Sequence, residues 1–190
     1  MAAEHPGYHC LPVAPFGDRR PKLLVVGLAP GLHGANRTGR PFTGDHAGIL
    51  LYATLHGFGF ASRPVSVARG DGLKLLRCRI TNAVKCLPPA NRPAPDEVRR
   101  CNRYLLRELA LLPPGAVIVA LGAIAHAAVL RALGLPQAAR RFAHAAEHRL
   151  PDDRTLIDSY HCSRLNTNTG RLTAAMFRRI FARARHLIGT

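Results

Sequence analysis

The sequence predicts an α/β fold, a three-layer α/β/α sandwich around a mainly parallel sheet, and three observations carry that prediction. Short continuous apolar runs, KLLVVGLAPG (22–31), RCRITNAVKC (77–86) and GAVIVALG (115–122), suit strands buried on both faces. Stretches with apolar residues at helical spacing fall between and after them. No interdomain linker and no internal repeat interrupts the alternation, so residues 1–190 read as a single domain.

The first run ends in Gly and Pro and opens into GLHGANRTGRPFTGDHAG (31–48), a loop with five glycines, after which a helix resumes near Ile49. A long glycine-rich loop at the carboxyl end of a buried strand is where open α/β sheets hold ligands. The second run leads into a proline-rich turn. PDEVRRCNRYLLRELALL (95–112), with Pro95 and Asp96 at its start, is an amphipathic helix. After the third run, AIAHAAVLRALG is a helix closed by Gly134. HRLPDDRTLIDSYH reads as strand, tight turn and strand. SYHCSRLNTNTG (159–170) is then a connecting loop, and TAAMFRRIFARARHLI (173–188) is an amphipathic helix with an arginine-rich outer face.

A composition of 47% hydrophobic and 20% charged residues excludes a disordered chain and a membrane protein. No run approaches the roughly 18 apolar residues of a membrane span, and the Met1 end lacks the charged-then-apolar order of a signal peptide. The expectation is a soluble, cytoplasmic monomer. The net charge is +16, and lysine occurs only at Lys22, Lys74 and Lys85, so arginine dominates. A guanidinium forks onto phosphate oxygens and is weakly hydrated, which favours a polyanionic partner, nucleic acid first. The competing account is that GC-rich coding replaced Lys by Arg and the charge serves solubility. Five cysteines, Cys10, Cys78, Cys86, Cys101 and Cys162, form no disulfide framework in a reducing compartment, leaving metal binding, catalysis or burial.

In a parallel sheet the strand-end loops converge on one edge. Asp45, Asn82 and His161 can therefore meet in one pocket, and a carboxylate, an amide and an imidazole make a plausible hydrolytic site. Each also has a plain structural account. Asp45 could cap the helix beginning near Ala47, Asn82 could satisfy a strand end, Phe42 could pack in the core and His161 could be a turn residue. His33 and His46 could line the pocket, whereas His126 on its helix reads as structural.

These segments resemble the uracil-DNA glycosylase superfamily, and most closely its family 5, the type-b enzymes. GLAP with HGANRTGRPFTGD is similar to that family's first motif, SYHCSRLNTNTGRLTAAMF to its second, and TNAVKC-PP also matches; weaker similarity runs from about Tyr8 onward. The resemblance implies a base-excision-repair hydrolase acting on single- or double-stranded DNA, associated with the nucleoid. It would release uracil, with other deaminated bases as further candidates. It implies that the base leaves the duplex and stacks on Phe42, that Asn82 reads its edge, and that Gly27, Ala29 and Gly31 offer unobstructed backbone. His161 would stabilise the departing anion, and Asp45 would orient water or offset charge on the sugar. In the opening of the second motif, Ser163, Arg164 and Asn166, with the nearby Thr residues, would contact phosphates, and Leu165 would fill the gap left by the flipped nucleotide.

The family also implies a [4Fe-4S] cluster on four cysteines. Cys86 and Cys101 match the later pair; the early Cys-x-x-Cys is missing and Cys10 stands alone. The chain thus reads as starting downstream of that pair, or as a protein whose cluster is incomplete or absent, and Cys78 and Cys162 read as buried. Cys162 also replaces the motif's proline, which predicts a looser loop around His161, and Gly31 stands where alanine is common in the type-b proteins. Two other classes stay open. One is a damaged-DNA-binding protein of the same fold with weak catalysis. The other is an unrelated hydrolase using Cys162 with His161, a poor pairing because neighbours on an extended chain point apart.

Overall fold

Leu23, Leu24, Val25 and Val26 follow one another without a polar residue, and all are fully buried in the strand β2 (Leu23–Gly27). Side chains alternate across a strand, so such a run needs apolar cover on both faces. The computed structural model, which describes residues 4–189, provides that cover. Met1, and with it the question of the chain's start, lies outside those residues.

Leu23 and Val25 pack in one cluster with Leu51, Leu55, Phe177 and Phe181. These come from α2 (His46–Gly57) and α6 (Ala174–Ile188). Leu24 and Val26 pack in a second cluster with Leu105, Leu109, Val129 and Leu130, which lie on α3 (Pro95–Ala110) and α4 (Ala123–Ala132). The sheet is the middle of three layers. Burying each such aliphatic side chain contributes about 1.5–3 kcal/mol, and the two faces are the main source of stability.

β2 pairs in parallel with β3 (Cys78–Asn82) on one side and β4 (Val117–Leu121) on the other, and β4 pairs in parallel with β6 (Thr155–Ser159). The edges are antiparallel: β1 (Phe16–Gly17) on β3, and β5 (Glu147–Arg149) on β6. The six strands run in the order β1-β3-β2-β4-β6-β5. All four inner strands point the same way, so the loops after Gly27, Asn82, Leu121 and Ser159 gather at one edge.

Three local features depart from the sequence reading. The helix expected to resume near Ile49 starts earlier, at His46, and there the account of Asp45 as its cap holds, since the Asp45 side chain accepts from Gly48 N (2.9 Å). Residues 159–170 are not wholly loop: Ser163 caps a short helix, α5 (Arg164–Asn168). β1 is two residues long, too short to leave a pattern, and a one-turn helix, α1 (Ala35–Thr38), lies inside the glycine-rich loop.

His126 is structural, as its place on a helix suggests. It is buried, and its Nδ1 pairs with Asp158 Oδ1 (2.8 Å) while its Nε2 pairs with the Arg140 carbonyl (2.8 Å). Asp158 Oδ2 also accepts from His148 Nε2 (3.0 Å). Both ring nitrogens of His126 face acceptors, so both carry protons when Asp158 is ionised. Burial pushes the imidazole towards neutrality, but the hydrogen bond and charge of Asp158 outweigh it and raise its pKa. A folded pKa above the unfolded value of about 6.5 means the stabilisation is complete below pH 6.5 and lost as pH rises through the folded value. Asp158→Asn should therefore cost about 3 kcal/mol at pH 6, with the gap to the parent narrowing by pH 9. Urea unfolding of both proteins at the two pH values measures this, and a gap independent of pH would sink the assignment.

Candidate active site

At the gathered strand ends a hollow of about 410 Å³ is lined by Ala29, Pro30, Gly31, Phe42, Asp45, Asn82, Asn91, His161 and Ser163, among others. Asp45, Asn82 and His161, far apart in sequence, thus share one cavity.

Asn82 ends β3. Its side chain is buried, and Oδ1 has no hydrogen-bond partner. A buried, unpaired amide oxygen costs about 1–3 kcal/mol, which a ligand donor would recover. Its backbone is fixed from behind by Lys85, which sequence reasoning passed over. The buried Lys85 Nζ donates to Asn82 O (2.8 Å) and Thr81 Oγ1 (2.6 Å) and pairs with Glu108 (2.9 Å). Burial lowers the lysine pKa while Glu108 works to restore it.

Phe42 is buried at φ 54°, a conformation that side chains with a Cβ rarely adopt. The turn is held from several directions. Tyr52 donates to the Pro41 carbonyl (2.8 Å), and Thr43 Oγ1 lies 2.7 Å from Ser66 Oγ. Arg40 binds Ser66 (3.0 Å) and Asp71 (2.8 Å) and lies 4.4 Å from the Phe16 ring centre. Gly27 does not itself line the hollow. It supports it, because a Cβ there would come within 2.5 Å of both Asn82 Oδ1 and the Phe42 ring. Gly31 does line the hollow and has open space around its Cα.

His161 follows β6, its ring 5.9 Å from that of Phe42 and inclined by 26°. Burial pushes its pKa down to about 4, so the imidazole is neutral at neutral pH. Asp45 both caps α2 and lines the hollow. Burial raises its pKa, against the backbone amides of Gly48 and Ala47. The residue before His161 is clamped: Tyr160 stacks on His144 (4.9 Å), Arg171 lies 4.7 Å from its ring centre, and Tyr160 N donates to His144 Nδ1 (3.2 Å).

In the second motif, Ser163 lines the hollow and Arg164 the neighbouring one. Leu165 is 71% exposed. Asn166 turns inward, its Nδ2 donating to the His161 carbonyl (2.8 Å), and the hydroxyls of Thr167 and Thr169 donate to backbone carbonyls of the same turn. In this structure these side chains brace the loop. Cys162 is buried and its Sγ lies 3.5 Å from the Ala47 carbonyl. That full burial also pushes its thiol pKa up, and both tell against the Cys162–His161 hydrolase. Of the other histidines, His46 lines the neighbouring hollow, whereas His33 pairs with Tyr8 (3.0 Å). Asn91 went unread in the sequence. Its φ of 56°, beside Ala90 at 49°, marks a tight turn whose only trace was the proline-rich composition.

Cys86 and Cys101 share a hollow of about 330 Å³ with Pro12–Pro15, Lys85 and Tyr104. The other cysteines go elsewhere. Cys10 Sγ accepts from Asn36 Nδ2 (3.7 Å), and Cys78 and Cys162 are in the core. Among the described residues, the one group of three or more metal-capable side chains within mutual reach is His126, His148 and Asp158, without any cysteine. The described residues supply two of the four thiolates a [4Fe-4S] cluster requires and do not fit it.

A family model for the uracil DNA glycosylase superfamily matches residues 14–185. The chain is 50% identical over 182 residues to the type-5 uracil-DNA glycosylase of Thermus thermophilus, covering 96% of this chain and 83% of that protein. It is 46% identical over 180 residues to the type-5 uracil-DNA glycosylase of Mycobacterium tuberculosis, covering 94% and 67%. Against the type-4 uracil-DNA glycosylase of Thermotoga maritima it is 38% identical over 110 residues, 57% of this chain and 49% of that one.

The Phe42 turn can be tested without any activity. A methyl group on Gly48 would overlap the Phe42 carbonyl oxygen. Gly48→Ala should therefore lose about 2 kcal/mol despite the better helix propensity of alanine. Thermal unfolding measures it, and a stabilised variant would contradict this geometry.

Proposed function

The chain belongs to the uracil-DNA glycosylase superfamily, and from that premise we propose that it is a DNA-repair hydrolase that cleaves the N-glycosidic bond of uracil in DNA and leaves an abasic site. The observation that carries the reading is the unpaired Asn82 Oδ1 beside the Phe42 ring at the convergent strand ends. A flat base against that ring presents its edge to the amide. Uracil offers N3–H to the orphan oxygen and O4 to the amide N–H; cytosine offers the reverse pattern and leaves both unmatched.

The electrostatics suit the departure of an anion. As the bond to the sugar breaks, negative charge develops on the base, and a neutral imidazole at His161 donates its N–H to it as a hydrogen bond, with no proton transferred. Asp45, once ionised, orients water towards the sugar and offsets its positive character. No step uses a metal or an iron–sulfur cluster. The identities to named glycosylases favour this enzyme over a DNA-binding protein without chemistry. DNA as the polyanionic partner also accounts for the charge of +16. No helix among the described residues is long and apolar enough to cross a membrane.

Base release from otherwise identical oligonucleotides carrying uracil, hypoxanthine or no lesion tests the proposal. Uracil release should fall about 100-fold or more in Asn82→Ala. Its rate should be flat from pH 7 to 9 and decline in acid as Asp45, whose pKa is raised, becomes protonated. Loss of rate with a midpoint near pH 6.5 on the alkaline side would mean that His161 acts as imidazolium and would refute the neutral-donor role.

Leu165, exposed next to Arg164, is proposed to occupy the gap that the flipped nucleotide leaves in a duplex. Leu165→Ala should slow release from double-stranded far more than from single-stranded substrate; equal effects on both would remove this role.

A further inference from the structure

Behind the wall formed by Phe42 and Asp45 lies a second, larger hollow of about 520 Å³. Its sides include Arg37, His46, Ile49, Val65, Val67 and Arg164. The base hollow and this one share Phe42 and Asp45 in their linings, and Ser163 and Arg164, adjacent in sequence, line one each.

Three features mark it as built to receive something. Ile49 is 66%, Val65 56% and Val67 67% exposed, a cluster of branched apolar side chains held in water by a chain otherwise rich in surface arginine. The loop that holds the valines is fixed: Asp71 accepts from Val67 N (2.9 Å), Ala68 N (3.3 Å) and Arg40 (2.8 Å), and Ser66 pairs with Thr43 (2.7 Å). His46 Nδ1 is buried without a hydrogen-bond partner. The charges also select the occupant. Two guanidiniums flank the apolar cluster, and the only carboxylate in the lining is Asp45. A ligand that suits both is flat or apolar at one end and anionic at the other. The volume lies within the range of about 300–1,000 Å³ that accommodates one.

We propose that this hollow is a subsite for the nucleotide adjacent to the excised one on the same strand. Its base lies against Ile49, Val65 and Val67, and its phosphate faces Arg37 and Arg164. The assignment rests on the glycosylase reading, since Asp45 must stand at the sugar of the excised nucleotide for its neighbour to reach across the shared wall. Contact with aliphatic side chains accepts any base face, so the subsite strengthens grip on the strand without imposing a sequence.

The experiment uses the full chain and a single strand with one uracil, carrying the fluorescent base 2-aminopurine either next to the uracil, on each side in turn, or several nucleotides away. Binding should change the emission of the adjacent probe on one side and leave the distant probe unchanged. The double variant Ile49→Ser/Val67→Thr should abolish that change and raise KM for uracil release about tenfold. Leu106→Ser, an exposed apolar residue on α3, should alter neither. If uracil is released but the adjacent probe is silent, or the double variant behaves as the parent, the subsite is overturned. If the adjacent probe responds and the variant abolishes the response while no uracil is released, the hollow still takes the nucleotide beside the uracil, but the glycosylase reading falls and with it the placement relative to an excised base. Failure to bind the strand at all would overturn both.

Discussion

The architecture turns on a point where no side chain fits. Gly27 ends β2 in contact with Asn82 from β3 and with the ring of Phe42, which arrives from the following loop on a strained backbone. That close approach sets the spacing between an amide and an aromatic face, and every other group around the hollow is arranged with respect to it. Phe42 can adopt its conformation because Gly48 leaves room for its carbonyl and because a buried network from Arg40 to Tyr52 ties down its neighbours. The stability of the sheet and helices underwrites a local conformation that the loop alone would not hold.

The sheet and most helices were legible because burial on both faces forces uninterrupted apolar runs, and KLLVVG and GAVIVAL are such runs. The meeting of Asp45, Asn82 and His161 was legible for a topological reason: parallel strands send their following loops to one edge. What the sequence left obscure depends on side-chain direction. Asn166 was read by type as a phosphate donor, and the sequence did not show that its amide also braces the His161 carbonyl. Lys85 drew no reading beyond its count among the lysines, yet it is buried against Thr81, Asn82 and Glu108. Cys162 was read as a substitute for a stiffening proline, and the contact of its sulfur with Ala47 was not visible in the sequence. In each case the residue type gave the chemistry and only packing gave the partner.

The arginine excess divides in the same way. Some guanidiniums are internal struts: Arg154 reaches the carbonyls of Leu109 and Pro151, and Arg79 that of Asp18. Others lie over aromatic rings, Arg178 on Phe58 and Arg185 on Phe60, where α6 meets the end of α2. The charge that attracts a polyanion at long range is thus partly the same charge that packs the helices, and lysine would replace it poorly in the second task.

Asp45 joins two obligations that most proteins keep apart. Its carboxylate starts α2 and also stands in the hollow beside Asn82 and His161. Helix initiation and the lining of the hollow therefore form a single mutational target. A lineage that discarded the chemistry would gain only limited freedom at this position, because the helix still favours a capping oxygen there, which Ser, Thr or Asn also supplies. A carboxylate retained at Asp45 would thus not, taken alone, testify that the enzyme is still at work.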